Sequence, residues 1–205
     1  MFFAKEGWSF IFIPLVLGIL SIVLGRTLVF QIAGSVLILL GLFCLFFFRD
    51  PVRHIPHGEN LILSPCDGTV MEVTEEDNRK VIRVFLSVFN VHLQRSPVAG
   101  TIKSVEYRPG KFLPAMKPEA HSVNEQNVIT ISTPKGEYIV KQIAGILARR
   151  VVSWVKAGDK VEKGQRIGLI KFGSQVDVTF PQGAQVKVSV GDTVTAGETV
   201  IGELQ

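Results

Sequence analysis

The sequence predicts an all-β or β-rich domain, built as a sandwich or barrel-like sheet and preceded by an α-helical membrane hairpin. Two observations lead to this fold class. Two long apolar runs lie within the first fifty residues, and short segments of alternating Val and Ile, separated by Gly-Asp turns, fill the rest of the 205-residue chain. We therefore divide the chain into an anchor at residues 1–50 and a β domain at residues 51–205.

The predicted anchor consists of two apolar segments, 10–25 and 28–48, with Arg26 between them. The second segment is about 20 residues long, enough to cross a bilayer, whereas the first is about 16 residues long and contains Pro14. We predict a helical hairpin that turns at Arg26, and a shallow re-entrant hairpin is the alternative. The positive-inside rule places both ends of the hairpin on the cytoplasmic face of the cell membrane, because basic residues flank it: Lys5, Arg49 and Arg53.

Two internal repeats organise the predicted β domain. Segment 64–70 (Ser-Pro-Cys-Asp-Gly-Thr-Val) recurs at 96–102 (Ser-Pro-Val-Ala-Gly-Thr-Ile), and the Gly-Asp segment 155–161 recurs at 189–194. Gly-Asp pairs are typical of hairpin turns, and their spacing resembles the hairpins of biotinyl and lipoyl carrier domains. Around these turns we predict short strands, which include residues 81–85, 128–132, 138–143 and 186–190.

The net charge of +4 and the two cysteines limit the function. Mild basicity fits an anionic membrane surface, and the chain lacks the basic run with interleaved aromatics that indicates nucleic-acid binding. Cys44 and Cys66 show neither metal-ligand spacing nor a disulfide framework. We therefore expect two buried thiols in a reducing compartment, and no metal site.

Three residues form a candidate catalytic group. Gly173-Ser174 lies between apolar strand-like runs, and a glycine before the serine leaves its carbonyl open to attack by the hydroxyl. A serine needs a base, for which His92 is the candidate, and a carboxylate such as Asp67 orients a histidine in this chemistry. Asp67 corresponds to Ala99 in the repeat, so the fold does not require a carboxylate there. A strand turn, a buried histidine and a turn aspartate are the structural alternatives.

Six short motifs occur in one order along the chain: Phe-Arg-Asp-Pro at 48–51, Ser-Pro-Cys-Asp-Gly at 64–68, Asn-Val-His at 90–92 with Ser-Pro-Val-Ala-Gly at 96–100, Asn-Glu-Gln-Asn at 124–127, Gln-Ile-Ala-Gly at 142–145 with Ala-Arg-Arg at 148–150, and Phe-Gly-Ser-Gln-Val at 172–176. In that order they resemble the motifs of the short phosphatidylserine decarboxylase proenzymes. The chain departs from the family pattern at Gln126, where arginine is usual, and around Gly-Ser, where Leu-Gly-Ser-Thr is frequent.

The resemblance implies a decarboxylase that makes its own cofactor. His92, oriented by Asp67, would take the proton from Ser174, which would attack the Gly173 carbonyl and split the chain. The new terminus would carry a pyruvoyl group derived from Ser174, the electron sink for conversion of phosphatidylserine to phosphatidylethanolamine, with His92 as the first choice of proton donor. No metal or nucleic acid is implied, and a homo-oligomer is compatible with the sequence. The two fragments, which would stay associated, are 1–173 and 174–205.

Two other functions fit parts of the pattern. A membrane-anchored, non-enzymatic carrier-like adaptor would fit the repeats, and Ala-Met-Lys at 115–117 resembles a biotinylation site, although prolines flank it. A Ser-His-Asp hydrolase would fit the candidate residues, but the Gly-x-Ser-x-Gly elbow is absent from the sequence. The region around Phe112 and Leu113 is interpreted either as a loop that faces lipid or as an ordinary surface loop.

Overall fold

The computed structural model describes residues 2–114, 117, 119–145, 150–171 and 174–204, and of Ser174 it describes the backbone only. The chain divides into two compact units, Met1–Val52 and Arg53–Gln205. The first unit is helical and the second consists mainly of strands. This confirms the predicted β-rich fold with a helical hairpin before it in the chain.

The first unit is a helical hairpin. Helix α1 (Trp8–Leu24) and helix α2 (Leu28–Phe47) are joined by a short turn that contains Arg26, as predicted. Thr27 precedes α2 in an extended conformation, so the chain leaves the turn before the second helix begins. Short elements flank the helices: a 3-10 turn at Lys5–Gly7, and an antiparallel pair of β1 (Phe2–Phe3) with β2 (Arg49–Asp50).

The two helices approach closely where glycines face each other. A Cβ atom on Gly34 would lie 2.7 Å from the carbonyl oxygen of Gly18 and 2.6 Å from Ile22 Cγ1, so only glycine fits at this crossing. Small residues at such positions let apolar helices pack without large side chains between them. At the turn, Ser21 Oγ donates a hydrogen bond to the carbonyl oxygen of Phe30 at 2.8 Å, which ties the two helix ends together.

The outward surface of the hairpin is apolar and exposed. Val23, Leu28 and Val29 are each 72–74% exposed. The segments Lys5–Leu24 and Leu28–Phe47 have the length and composition of membrane spans. An exposed apolar surface on two such helices is compatible with membrane association.

The second unit contains fourteen described strands and one short helix, α3 (Ala120–Val123). The strands, in chain order, are β3 (Leu61–Leu63), β4 (Gly68–Glu76), β5 (Arg79–Leu86), β6 (Leu93–Arg95), β7 (Gly100–Arg108), β8 (Gln126–Thr133), β9 (Gly136–Ala144), β10 (Arg150–Ser153), β11 (Lys160–Val161), β12 (Arg166–Lys171), β13 (Ser174–Thr179), β14 (Ala184–Val186), β15 (Thr193–Val194) and β16 (Val200–Leu204). They form three antiparallel sheets among the described residues, with the orders β11-β7-β8-β9-β13-β5-β4-β15, β10-β12-β6 and β14-β16-β3.

The eight-stranded sheet curls into half a barrel, and one of its faces forms the core. Alternate residues of neighbouring strands point into this core, which is why Val and Ile recur at every second position. Cys66 also lies in the core, and both cysteines are free and buried, as predicted for Cys44 and Cys66. Fully buried members on the central strands are Ile82, Val84, Leu86, Ile129, Ile131, Val140, Val176 and Val178.

Three predicted strands are confirmed: 81–85 in β5, 128–132 in β8 and 138–143 in β9. The strand predicted at 186–190 is wrong beyond Val186, where β14 ends. There the Asp192 carboxylate accepts a hydrogen bond from the Ser189 N–H at 2.8 Å, so the chain turns instead of continuing the strand.

The first predicted repeat is a structural repeat. Ser64 Oγ donates a hydrogen bond to the Cys66 carbonyl oxygen at 2.7 Å, and Ser96 Oγ donates to the Val98 carbonyl oxygen at 2.6 Å. The two copies also bond each other reciprocally. The Arg95 N–H donates to the Pro65 carbonyl oxygen at 2.8 Å, and the Leu63 N–H donates to the Pro97 carbonyl oxygen at 3.0 Å. The copies are therefore related by an approximate two-fold arrangement.

The Gly-Asp repeat follows the same arrangement. The Asp159 carboxylate accepts from the Lys156 N–H at 2.9 Å, in the same way that Asp192 accepts from Ser189 at 2.8 Å. Each turn then leads into a two-residue strand, β11 or β15, at an opposite edge of the eight-stranded sheet. The candidate residue Ser174 begins β13, which lies between these two edges.

Candidate active site

Residues 87–92 connect β5 of the large sheet to β6 of the small one. At the start of this connection Leu86 is paired with Ser174, and at its end Leu93 is paired with Leu169. The Ile170 N–H also donates to the carbonyl oxygen of His92 at 3.1 Å. The connection that contains His92 thus begins beside the first residue of β13 and ends beside β12.

Ser174 is the first residue of β13, which lies between β5 and β9 in the middle of the large sheet. Its Cα is in register with Leu86 on one side and Ala144 on the other. Strand alternation puts position 174 on the same face as the buried residues Val176 and Val178. Gly173, the other half of the predicted cleavage site, lies outside the described residues.

His92 is completely buried, and a main-chain oxygen lies beside its ring. Nδ1 is 3.0 Å from the carbonyl oxygen of Asn90. A carbonyl oxygen only accepts, so this hydrogen bond requires the proton on Nδ1 and leaves Nε2 as the basic atom of the neutral ring. Asn90 Oδ1 in turn accepts from Ser87 N–H at 2.9 Å and from Ser87 Oγ at 2.7 Å, which fixes the turn before His92.

Three buried amide side chains lie on the core side of the sheets near His92. Gln94 and Gln142 are completely buried, and Asn127 is 4% exposed. Asn127 and Gln142 belong to two of the six sequence motifs, which gave them no function, and the sequence did not single out Gln94. For Asn127 and Gln142 a signal was present, because each amide shares a strand face with buried apolar residues, whereas β6 is too short to give such a pattern around Gln94.

Asp67 lies in the turn before β4, and its carboxylate has other partners than His92. Arg53 Nη2 donates to both carboxylate oxygens at 2.8 Å, and the Ala196 N–H donates to Oδ1 at 2.8 Å. β4 is separated from β13 by β5, so Asp67 lies two strand spacings, on the order of 10 Å, from the Ser174 backbone. Asp67 is therefore held by Arg53 and Ala196 before β4, the second strand from β13 in the large sheet.

Asn124 fixes the loop in front of α3 beside the same strand ends. Its Oδ1 accepts from the Leu113 N–H at 2.9 Å, and its Nδ2 donates to the carbonyl oxygens of Leu113 at 2.9 Å and Ala144 at 2.8 Å. Because Ala144 is in register with Ser174, residues 112–113 lie next to the candidate site. Phe112 is 39% exposed there. Residues 115, 116 and 118 of the predicted lipid-facing loop lie outside the described residues.

Gln126, at which the chain departs from the motif it resembles, is on the opposite face of β8 from Asn127. It is 4% exposed, and its Nε2 donates to the Asn124 carbonyl oxygen at 3.2 Å. Its Oε1 accepts no hydrogen bond within the part of the chain that the structure describes. The side chain thus stabilises the turn before β8 on one side only.

The outer face of β13 carries a buried carboxylate. Asp177 is 1% exposed, and Gln175 Nε2 donates to its Oδ1 at 2.5 Å, while Arg83 Nε is 3.5 Å from its Oδ2. Burial raises the pKa of Asp177, and the nearby Gln175, Lys141, Arg83 and His121 oppose this shift. In residues 2–114, 117, 119–145, 150–171 and 174–204 there is no cluster of three or more His, Cys, Asp or Glu side chains able to hold a metal ion.

The fold is of the class that combines an apolar helical hairpin, compatible with membrane association, with a β-rich domain, and the buried His92 lies in that domain. Comparison with known proteins agrees with this class. The phosphatidylserine decarboxylase family model matches residues 40–202. The chain is 44% identical to the phosphatidylserine decarboxylase proenzyme of Symbiobacterium thermophilum, over 98% of this chain and 95% of that protein. It is 45% identical to the proenzymes of Burkholderia cenocepacia and Burkholderia multivorans, over 98% of this chain and 96% of each relative.

The chain belongs to the phosphatidylserine decarboxylase family, as its motifs predicted. Membership supports an enzyme of phospholipid synthesis that is made as a proenzyme. It therefore favours the decarboxylase over the carrier-like adaptor and the hydrolase.

Proposed function

We propose that this protein decarboxylates phosphatidylserine to phosphatidylethanolamine with a pyruvoyl group that it forms from Ser174 by cleavage after Gly173. The observation that carries the proposal is the position of His92. Its segment leaves β5 where Leu86 is paired with Ser174 and reaches β6 where Leu93 is paired with Leu169, and its ring is held with Nε2 as the basic atom. A base at this point is what a serine needs to act on the peptide bond before it.

The cleavage follows from the chain's own groups. His92 Nε2 takes the proton of the Ser174 hydroxyl, and Oγ attacks the carbonyl carbon of Gly173. The C–N bond of that peptide breaks, its nitrogen takes up a proton, and an ester joins the two parts. Loss of the Ser174 α-proton then breaks the bond between Cβ and Oγ and expels the Gly173 carboxylate. Water hydrolyses the remaining amino-alkene, and its nitrogen leaves as ammonia.

The surroundings of position 174 fit a pyruvoyl group at the start of β13. The strand is paired on both sides from its first residue, so a new chain end there stays fixed. Such a group supplies an electron sink for the carboxyl-bearing carbon of an amine substrate. His92 then serves as the donor that returns a proton to the product, because it is a buried titratable side chain on the segment that begins beside Ser174.

Asp67 is the third residue of the proposal. Its bonds to Arg53 and Ala196 hold the carboxylate in place, and from there its charge would stabilise the cation that forms when His92 takes the serine proton. Arg53 offsets part of that charge, so we expect this contribution to be smaller than that of His92.

The lipid substrate fits the rest of the chain. The exposed apolar helices support membrane attachment, and basic residues at the hairpin ends favour a cytoplasmic β domain. Asn124 holds Phe112 and Leu113 next to the strand ends at the site, so this loop is suited to contact lipid beside the reacting headgroup.

Intact-mass spectrometry of the purified full chain beside its Ser174→Ala variant tests the proposal. We expect two fragments that break after Gly173, the smaller one lighter by one ammonia than a serine-ended peptide, and an uncleaved variant. Phosphatidylserine in mixed micelles should then lose carbon dioxide only with the cleaved protein. A single chain in both samples would contradict the proposal.

A further inference from the structure

Three buried amides form one hydrogen-bonded chain that ends at His92. Asn127 Nδ2 donates to Gln142 Oε1 at 3.1 Å, and Gln142 Nε2 donates to Gln94 Oε1 at 2.7 Å. Gln94 Nε2 then donates to the carbonyl oxygen of His92 at 2.9 Å. These hydrogen bonds join β8 and β9 of the large sheet to β6 of the small one, and they end at the residue that carries the imidazole.

All donors in the chain point the same way. Turning the Gln142 amide by half a rotation would place N–H against N–H at Asn127 and oxygen against oxygen at Gln94, and both bonds would be lost. Gln142 Nε2 also donates to the Val152 carbonyl oxygen at 3.3 Å, so both of its N–H groups are used. Buried amides in series strengthen one another, and each lost partner leaves a costly unpaired group.

Gly168 makes the room for this chain. It is the residue of β12 that pairs with Gln94, at a point where the register shifts. A Cβ atom there would lie 2.4 Å from the Val152 carbonyl oxygen and 2.6 Å from Gln142 Nε2. A larger residue at position 168 would therefore displace the Gln142 amide, so the glycine is required for the hydrogen bonds between the three amides.

The backbone of His92 is the end point of these contacts. Its carbonyl oxygen accepts from Gln94 and also from the Ile170 N–H at 3.1 Å. The ring is fixed separately by the Asn90 carbonyl oxygen. The carbonyl group of His92 is thus held by Gln94 and Ile170, whereas the imidazole of His92 is held by Asn90.

We propose that Asn127, Gln142 and Gln94 are positioning residues that set where the His92 ring stands relative to Ser174. The inference rests on the proposed function for its consequence in catalysis. A displacement of about 1 Å at a reacting group costs about 100-fold in rate. Loss of one of these amides should therefore slow the reaction more than the accompanying loss of folding stability would.

The first test compares cleavage in Gln94→Leu and Gln142→Leu with cleavage in Val140→Ala. Val140 is fully buried on the same face of β9, two residues from Gln142, and its truncation destabilises the fold without touching the chain. Full-length protein made in a cell-free system is followed by intact mass over time, and unfolding midpoints are measured in parallel. We expect cleavage about 10- to 100-fold slower in the two leucine variants and unchanged in Val140→Ala. Equal rates in all three at equal stability would overturn the inference.

The second test does not need cleavage. In the Ser174→Ala background, the nitrogen resonances of the four histidines are recorded with and without Gln94→Leu, and His92 is assigned with His92→Gln. We expect a single Nδ1-protonated signal for His92 that becomes mixed or broadened when Gln94 is replaced. An unchanged His92 signal would overturn the inference even if the wild-type chain cleaves. Failure of the wild-type chain to cleave would instead refute the proposed function, and this measurement would still decide the positioning.

Discussion

The ring nitrogen Nδ1 of His92 lies 3.0 Å from the carbonyl oxygen of Asn90, two residues earlier in the chain. The acceptor that selects the tautomer of this histidine is therefore part of the main chain. Replacement of the Asn90 side chain keeps this acceptor, whereas a change that shifts the His92 backbone, such as Gln94→Leu, should alter its distance from the ring.

Replacement of His92 by glutamine should slow cleavage by about 100- to 10,000-fold, because the basic Nε2 is lost while a polar side chain remains. The measurement is the cleaved fraction over time by intact mass. His57→Gln is the matched control, since His57 is exposed in the segment before β3. A comparable loss in the control, or normal cleavage in His92→Gln, would contradict the assignment.

Asp67→Asn and Arg53→Met separate two roles of the buried ion pair, whose side chains are 14% and 9% exposed. Removal of either partner should lower the free energy of unfolding by about 3–5 kcal/mol, because the other charge stays buried. If the Asp67 charge stabilises the cation that forms on His92 during cleavage, Asp67→Asn should in addition slow cleavage about tenfold relative to Arg53→Met at matched stability. Equal cleavage in the two variants would exclude a catalytic contribution of Asp67 and limit its role to holding Arg53 in place.

Asp177→Asn should change how stability depends on pH. Burial raises the pKa of Asp177 above its ordinary 3.8, so the folded state binds this proton more tightly than the unfolded state does. The contribution of the protonated carboxyl is fully present below pH 3.8 and is lost as the pH rises through the raised pKa. In the uncleavable Ser174→Ala background, Asp177→Asn should therefore unfold at higher urea than its parent at neutral pH, and the difference should shrink on acidification. A difference that is constant with pH, or that grows towards acid, would contradict this.

The fragment 174–205 should stay bound after cleavage. Its first strand, β13, is hydrogen-bonded on both sides by β5 and β9, and Val176 and Val178 are fully buried. An affinity tag after residue 205 should retrieve the 1–173 fragment from native detergent solution and lose it in denaturant. Val176→Asp should weaken retention, and the exposed Gln185→Asp should not. Recovery of the small fragment alone would contradict the expectation.

The helical hairpin and the repeats were predictable because their signals are local. Two apolar runs with a polar break specify a hairpin, and the Ser-Pro and Gly-Asp motifs form the same hydrogen bonds in both of their copies. The prediction beyond Val186 was wrong because the Asp192 side chain competes for the backbone there, which alternation of Val and polar residues does not show.

The candidate site was less predictable, because it depends on pairings between residues distant in the sequence. Nothing near Gln94 indicates that it meets Gln142, 48 positions later. Likewise, the sequence allows Asp67 to be paired with a histidine, and only the fold shows that Arg53 and Ala196 bind its carboxylate.

The duplicated hairpins give maturation an unusual geometry. Ser96 is bonded through its N–H to Gln165, and Ser64 is bonded through its N–H to Thr199, at 2.7 Å and 2.8 Å. A break after Gly173 leaves the first of these contacts within one polypeptide and places the second between two. The mature enzyme would then be a heterodimer whose subunit interface duplicates a contact that the larger subunit keeps inside itself. Quaternary structure would arise here by scission of a finished fold, with no encounter between separate chains.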